Sequence, residues 1–296
     1  MILVIGSGGE KEEKAMIWEH LRQEEFQDAV KEAKGLCVVP IGCVEKHGQH
    51  LPLGTDVLHI TEIARRAAKE EPAVVFPTLF FGEKTGAGEF DGTIIFSAEL
   101  RLKILQECCR EIARNGFRKI LLYNGHGGNS AMLSYFERSV LYEKQDYMVY
   151  TYALGNDFAT PNKILGRGYS YLTSEDRKVL QAYAAEKKKY GHACFIETGW
   201  MYGTHPDLVR LDKMDQESGV STHLFDEFKK RGISTPFAWM GNFPNSYEGD
   251  MHEGMNERIA RAMVDYAVEK AAEVFRFLKE ETISDEYHAK WLAKQK

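Results

Sequence analysis

Long apolar runs, paired cysteines and any excess of basic charge are all missing from this sequence, and each absence removes a class of protein. The longest apolar stretches, Leu36 to Ile41 and Val74 to Phe81, fall far short of the roughly 20 residues that a membrane-spanning helix needs. The opening Met1-Ile2-Leu3-Val4-Ile5-Gly6 carries neither the basic leader nor the full apolar segment of a secretion signal. A soluble, cytoplasmic protein with no membrane partner is the expectation. The five cysteines (Cys37, Cys43, Cys108, Cys109, Cys194) are odd in number and form no CxxC pair, which argues against a disulfide framework or a structural zinc knuckle. Lys plus Arg is 38 and Asp plus Glu is 44, a net charge of −6 with no long run of either sign. The usual basic footprint of a nucleic-acid partner is therefore absent.

What is present is a chain of 296 residues, 44% hydrophobic and 28% charged, enough for one large core or two modest ones and too apolar for general disorder. Periodicity alternates between helical and strand-like segments. A helical pattern from about Met16 to Lys34 precedes the continuous apolar run Leu36 to Ile41, the pattern of a parallel strand buried on both faces. A helix over Val57 to Lys69 and a strand over Ala73 to Phe81 follow. Ser97 is a natural N-cap for a helix reaching Asn115, which feeds the strand Lys119 to Tyr123. A helix from Asn129, a strand over Tyr147 to Ala153 and a helix from Ser174 to before Gly191 extend the rhythm. Gly, Pro, Asn and His punctuate residues 199 to 253, where loops and short helices are expected. Glu257 to Glu280 has the clearest helical spacing, and the charged tail after Glu280 reads as loosely held. This order predicts an α/β fold with a mostly parallel sheet covered on both faces, as one domain over residues 1 to 296.

Chemistry concentrates in three segments. The first, Pro40 to Asp56, follows a buried strand and so lies at the sheet edge where open α/β folds bind ligands. Glu45 and His47, two apart, can grip one metal or two adjacent ones, and Asp56, just before a helix, can bridge two ions or cap the helix. An ordinary reading of His47 is a hydrogen-bonded loop residue. The second, Asn124-Gly125-His126-Gly127-Gly128-Asn129, also follows a strand; its glycines suit a tight turn, with His126 incidental or a metal ligand. The third, Gly191 to Gly199, holds His192, an acid or base near neutral pH, and Glu197, a hard oxygen ligand. Together they offer imidazoles and carboxylates without thiolate, a set suited to catalytic Zn²⁺ or Mn²⁺ rather than a structural zinc.

The run Pro40-x-Gly42-x-x-Glu45-x-His47-Gly48-x-His50-Leu51-Pro52-Leu53-x-x-Asp56, followed by Asn124 to Asn129 and by His192-Ala193 with Glu197-Thr198, closely resembles the creatininase (creatinine amidohydrolase) family. Phe90-Asp91-Gly92-Thr93 is similar to that family's Phe-Pro-Gly-Thr, and Gly249-Asp250 to its Gly-Asp before the last helix. The resemblance spans about Ile17 to Leu278. It implies a three-layer α/β/α sandwich, two divalent ions per chain (zinc or manganese, with iron a further candidate) and hydrolysis of a non-peptide or small-peptide C–N amide bond. It further implies that Glu45 and His126 hold one ion, His47 and Glu197 the other, that Asp56 bridges them and that His192 is the acid or base beside them. Gly127 and Gly128 would lie against the substrate, with Trp200 and Tyr202 on the pocket wall. A homo-oligomer, often a hexamer, is the family habit.

Two departures stand out. Creatininase has a carboxylate two residues after the histidine matching His126, where this chain has Gly128, so Glu197 gains importance. Many members carry Glu-His shortly before Phe-Pro-Gly-Thr, where this chain has Gly86-Ala87, so creatinine is not carried over as the substrate. Metal-dependent phosphoester hydrolysis is the competing enzyme reading. It requires a basic clamp, and Lys46 is the only cation inside the three motifs. A non-catalytic relative would be expected to lose a ligand or His192, and all six are present. Gly6-Ser7-Gly8-Gly9 fails the dinucleotide spacing.

Overall fold

The computed structural model describes residues 15–157, 159–185, 191–249 and 254–295. Outside the described residues lie the opening strand and Gly6 to Gly9, Asp250, His252 and the helical pattern beyond residue 185.

The strands are β1 (Met16–Ile17), β2 (Leu36–Ile41), β3 (Val74–Val75), β4 (Lys119–Asn124) and β5 (Met148–Ala153). They form one sheet in the order β1-β3-β2-β4-β5, and every pairing is parallel. Strand side chains alternate between faces, and the core divides accordingly. Leu36, Val38, Leu121 and Tyr123 enter one apolar cluster, whereas Cys37, Val39, Ile41, Ile120 and Leu122 enter another on the opposite face.

The helices are α1 (Gln23–Glu32), α2 (Thr55–Glu70), α3 (Ala98–Arg114), α4 (Ser130–Ser139), α5 (Pro161–Arg167), α6 (Ser174–Ala185), α7 (Phe195–Thr204), α8 (Asp226–Lys230), α9 (Ala238–Asn242), α10 (Glu257–Glu280) and α11 (Ile283–Lys294). Helices α2, α7 and α10 bury Ile60, Ile63, Ile196 and Met263 in the first cluster, and α1, α3 and α4 bury Val30, Leu105, Ile112 and Phe136 in the second. The result is the expected three-layer α/β/α sandwich. Side-chain caps define two of the longest helices: Ser97 Oγ accepts from Leu100 N at 3.2 Å, and Asn256 Oδ1 accepts from Arg258 N at 3.0 Å and Ile259 N at 3.2 Å.

Three expectations are corrected. The helical pattern from Met16 breaks into an edge strand, a 3-10 turn over Trp18–His20 and then α1, because burial of Met16 and Ile17 beside Val74 and Val75 outweighs helical spacing. The strand over Ala73 to Phe81 shrinks to Val74–Val75, since Pro77 has no N–H to continue the ladder; only a bridge between Ile41 and Leu79 persists. The tail after Glu280 forms α11 and is pinned by buried Lys119, whose Nζ donates to Leu278 O at 2.8 Å and Glu281 O at 2.7 Å and pairs with Asp285 at 3.1 Å. Residues 205–249 follow expectation, with 3-10 turns and the short α8 and α9. Among the described residues no helix is long and apolar enough to cross a membrane.

Strand order fixes where a ligand can sit. From β2 the chain moves to β3 on one side and later to β4 on the other, so the loops after β2 and β4 diverge at a topological switch point. Ile41 and Asn124 pair at the ends of these strands, which brings both loops out at one level.

Candidate metal centre

The loop after β2 carries Glu45 and His47, the loop after β4 carries His126, and the first turns of α2 and α7 carry Asp56 and Glu197. Close approach of backbone to backbone makes this convergence possible: a Cβ at Gly125 would lie 2.6 Å from Ile60 Cβ and 3.1 Å from Asp56 O. Asp56 does not cap α2; Gly54 holds that position, and the Asp56 carboxylate turns inward, fully buried.

Asp56 is the hub. Its Oδ2 lies 2.8 Å from His126 Nδ1, and its Oδ1 lies 3.3 Å from His47 Nε2. Glu45 Oε1 is 3.2 Å from His126 Nδ1, and Glu197 Oε2 is 3.7 Å from His47 Nε2. Backbone carbonyls set the tautomers, because a carbonyl only accepts. His47 Nδ1 donates to Glu45 O at 3.2 Å, and His126 Nε2 donates to Glu83 O at 2.8 Å. In the neutral rings the lone pairs of His47 Nε2 and His126 Nδ1 therefore point at carboxylate oxygens.

Acceptor facing acceptor is repulsive unless a cation lies between them. His47 Nε2 and Asp56 Oδ1 are buried and make no hydrogen bond among the described residues, although buried polar groups ordinarily find partners. Three sets of atoms lie within 4.8 Å of one another: Cys43, Glu45, Asp56 and His126; Glu45, His47 and His192; and His47, Asp56 and Glu197. Imidazole lone pairs and carboxylates, each imidazole steadied from behind by a carbonyl, suit divalent metal ions. The carboxylates make the site favour positive charge. Burial opposes a charge on His47, yet Asp56, Glu197 and Glu45 outweigh it and hold the pKa at about 9. Burial raises Glu197 to about 7 despite His47.

His192 stands beside the centre, its ring 4.0 Å from that of His47. Its Nε2 donates to Lys46 O at 2.7 Å, so Nδ1 carries the lone pair. Burial, then the charges of His47 and Lys84, push its pKa well below the usual value. It is a neutral imidazole at neutral pH.

A cavity of about 640 Å³ opens over the centre, lined among others by Lys84, His126, Gly128, His192, Trp239 and Glu248. Gly127 and Trp200 also line it. Tyr202 does not, which corrects its placement on the pocket wall: it lies about 140° round α7 from Glu197 and packs among both Leu51's cluster and the α10 side of the core.

Several residues of the site escaped the sequence reading. Lys84 enters the cavity, pairs with Glu45 Oε2 at 2.7 Å and lies 3.8 Å above the Trp239 ring; nothing in the sequence marks it. Cys43 Sγ lies 3.2 Å from both Glu45 Oε1 and Asp56 Oδ2, so a thiol reaches the centre. Burial, reinforced by these carboxylates, raises its pKa. Its place two residues before Glu45 was the available signal. Lys46, by contrast, is held by Glu217 at 2.6 Å and Asn245 O at 2.5 Å.

Parallel strands with an imidazole and carboxylate cluster at the switch point define an α/β protein built around a candidate metal centre. The creatinine amidohydrolase (creatininase) profile matches residues 19–275, and the chain belongs to the creatininase family. It is 27% identical over 230 residues to creatinine amidohydrolase of Pseudomonas putida, covering 75% of this chain and 85% of that protein. It is 33% identical over 107 residues to mycofactocin precursor peptide peptidase of Mycobacterium tuberculosis, a match that covers 33% of this chain and 42% of the relative. Solved creatininases share the fold: a mutant of Zn-Zn type at TM-score 0.69 and a manganese form at 0.67, 22% and 23% identical, each matching 90% of this chain and 100% of theirs.

Gly128 leaves room for the backbone that orients His126. A Cβ there would lie 2.4 Å from His126 Nε2 and 2.6 Å from Glu83 O, so a side chain at this position would displace the carbonyl that accepts from His126.

Proposed function

We propose that this protein hydrolyses a C–N amide bond of a small molecule, such as a cyclic amide, a formamide or a short peptide terminus, at two divalent ions. The observation that carries the reading is the pair of imidazole lone pairs aimed at opposite oxygens of one buried carboxylate. Glu45 and His126 would hold one ion, His47 and Glu197 the other, and Asp56 would be shared between them. Zinc and manganese fit this donor set, in keeping with the metal forms of the solved relatives. When bound, such ions polarise the amide carbonyl and lower the pKa of water from about 15.7 towards 7.

The chain's own groups supply the rest. His192, neutral and fixed by Lys46 O, accepts a proton and passes it to the leaving nitrogen. The Gly127-Gly128 turn borders the cavity, where its backbone N–H groups can face a developing oxyanion. Trp239, its indole N–H held by Glu248 Oε2 at 2.7 Å, closes the wall beside His192. The phosphoester reading calls for a clamp of several cations, and Lys84, already paired with Glu45, does not make one.

The test is a panel of cyclic amides, formamides and short peptides assayed for amine release before and after chelation. The expected result is hydrolysis of at least one class, lost on chelation and restored by Zn²⁺ or Mn²⁺. Hydrolysis that persists unchanged in the chelated protein would overturn the proposal.

A further inference from the structure

We infer that His59 is a positioning residue for Asp56, its Nε2 directed at Asp56 Oδ1 from behind; the inference rests on the reading of Asp56 as a carboxylate shared by two ions. His59 follows Asp56 by three residues in α2, so both side chains lie on one face of the helix. It is wholly buried, and neither of its ring nitrogens makes a hydrogen bond among the described residues, nor does Asp56 Oδ1. These two unsatisfied groups face each other, with Nε2 3.6 Å from Oδ1. The ring's other side meets Trp200, centroid to centroid 5.3 Å. His59 belongs to none of the three atom sets able to surround an ion, which places it behind the ligands.

An imidazole buried without a partner is unfavourable, and a leucine or methionine would fill the same gap between α2 and α7 without that penalty. The surroundings of Asp56 say what the imidazole is for. Near Oδ2 stand the lone-pair side of His126, Nδ1 at 2.8 Å, and the Cys43 thiol, Sγ at 3.2 Å. Near Oδ1 stand His59 and His47 Nε2 at 3.3 Å, and in the two-ion reading Nε2 of His47 faces an ion while its Nδ1 donates to Glu45 O. His59 is thus the neighbour with a proton to give. A carboxylate that serves two ions must hold its plane so that each oxygen faces its own ion, and a donor behind Oδ1 restricts that rotation. Outer partners of this type govern metal affinity about 10- to 100-fold.

The test titrates metal-depleted protein with Zn²⁺ alone and with Co²⁺ alone, comparing the parent with His59→Leu, His59→Met and His59→Gln. Glutamine keeps an N–H near the imidazole Nε2 position; leucine and methionine keep bulk only. Leucine and methionine should weaken at least one ion by about 10- to 100-fold and change the visible Co²⁺ spectrum, without lowering the melting temperature of the metal-free protein. Glutamine should recover most of the affinity and the parent spectrum. Parent-like affinity and spectrum in the leucine or methionine variant would overturn the inference, as would equal loss in all three variants, which would mark a packing role. A parent protein that binds no ion would overturn the shared-carboxylate reading itself, and the inference with it.

Discussion

Two buried carboxylates in this molecule are surrounded in opposite ways. Asp176 accepts from Thr173 N at 2.9 Å, Thr173 Oγ1 at 2.8 Å, Asn256 Nδ2 at 2.9 Å and Arg258 Nε at 2.6 Å. It ties the start of α6 to the start of α10, and the Arg258 guanidinium with the Thr173 donors holds its pKa far below the usual range. Asp56 is equally buried, yet its Oδ1 makes no hydrogen bond among the described residues and faces an imidazole lone pair. A carboxylate that serves the fold is saturated with donors. One that faces imidazole lone pairs, in a cluster held together from three loops, leaves a position suited to a cation.

Substitutions at the two carboxylates should separate these roles. Asp56→Asn removes the shared charge; both ions should weaken, and kcat/KM should fall by about 10³-fold or more, the several kcal/mol that bound metals supply. Activity within a few-fold of the parent would show that Asp56 is not shared. His192→Ala should keep metal content at the parent level while kcat falls about 10²-fold. Loss of metal in that variant would make His192 a ligand.

Asp176→Ala should do the reverse of Asp56→Asn, leaving metal stoichiometry unchanged and lowering stability by about 2 kcal/mol in urea unfolding; the half-exposed Arg258 partner keeps the loss below that of a fully buried pair. The smallest effect belongs to Glu281. Burial would raise its pKa, but hydrogen bonds from Ser284 and the Lys119 ammonium bring it down to about 2. A depressed pKa contributes stability above the unfolded value near 4.5 and loses it as pH falls towards 2. The melting-temperature difference between the parent and Glu281→Gln should therefore shrink over that acid range. A difference that stays constant would remove Glu281 from the account.

How legible these regions are in sequence differs in the same way. The strands β2 and β4 are continuous apolar runs because both faces are buried, and α10 announces itself because its apolar stripe packs against α2 and α7. Those signals are local. Met16–Ile17 misleads because two apolar residues at the edge of a helical pattern look identical to a helix start until Val74 and Val75 supply a partner. The donor set Glu45, His47, Asp56 and His126 is readable because its members lie in the two segments that leave β2 and β4, and the structure brings them together with Glu197 and His192. Lys84, Cys43 and His59 are harder to see. Lys84 reaches Glu45 through a loop without periodicity, Cys43 resembles any small core residue, and His59 has only its spacing from Asp56 to give it away. Tyr202 fails for a geometric reason: helical rotation turns it from the face that Glu197 and Trp200 share.

The central claim is that unpaired acceptors around Asp56 are arranged for two cations. Equilibrium binding of Zn²⁺ or Mn²⁺ to chelator-treated protein, counted per chain by elemental analysis after removal of free metal, tests it most directly. The account predicts close to two ions per chain in the parent and in Asp176→Ala, with clear loss in Asp56→Asn. No tightly bound ion in the parent, or two ions retained by Asp56→Asn with parent affinity, would contradict it.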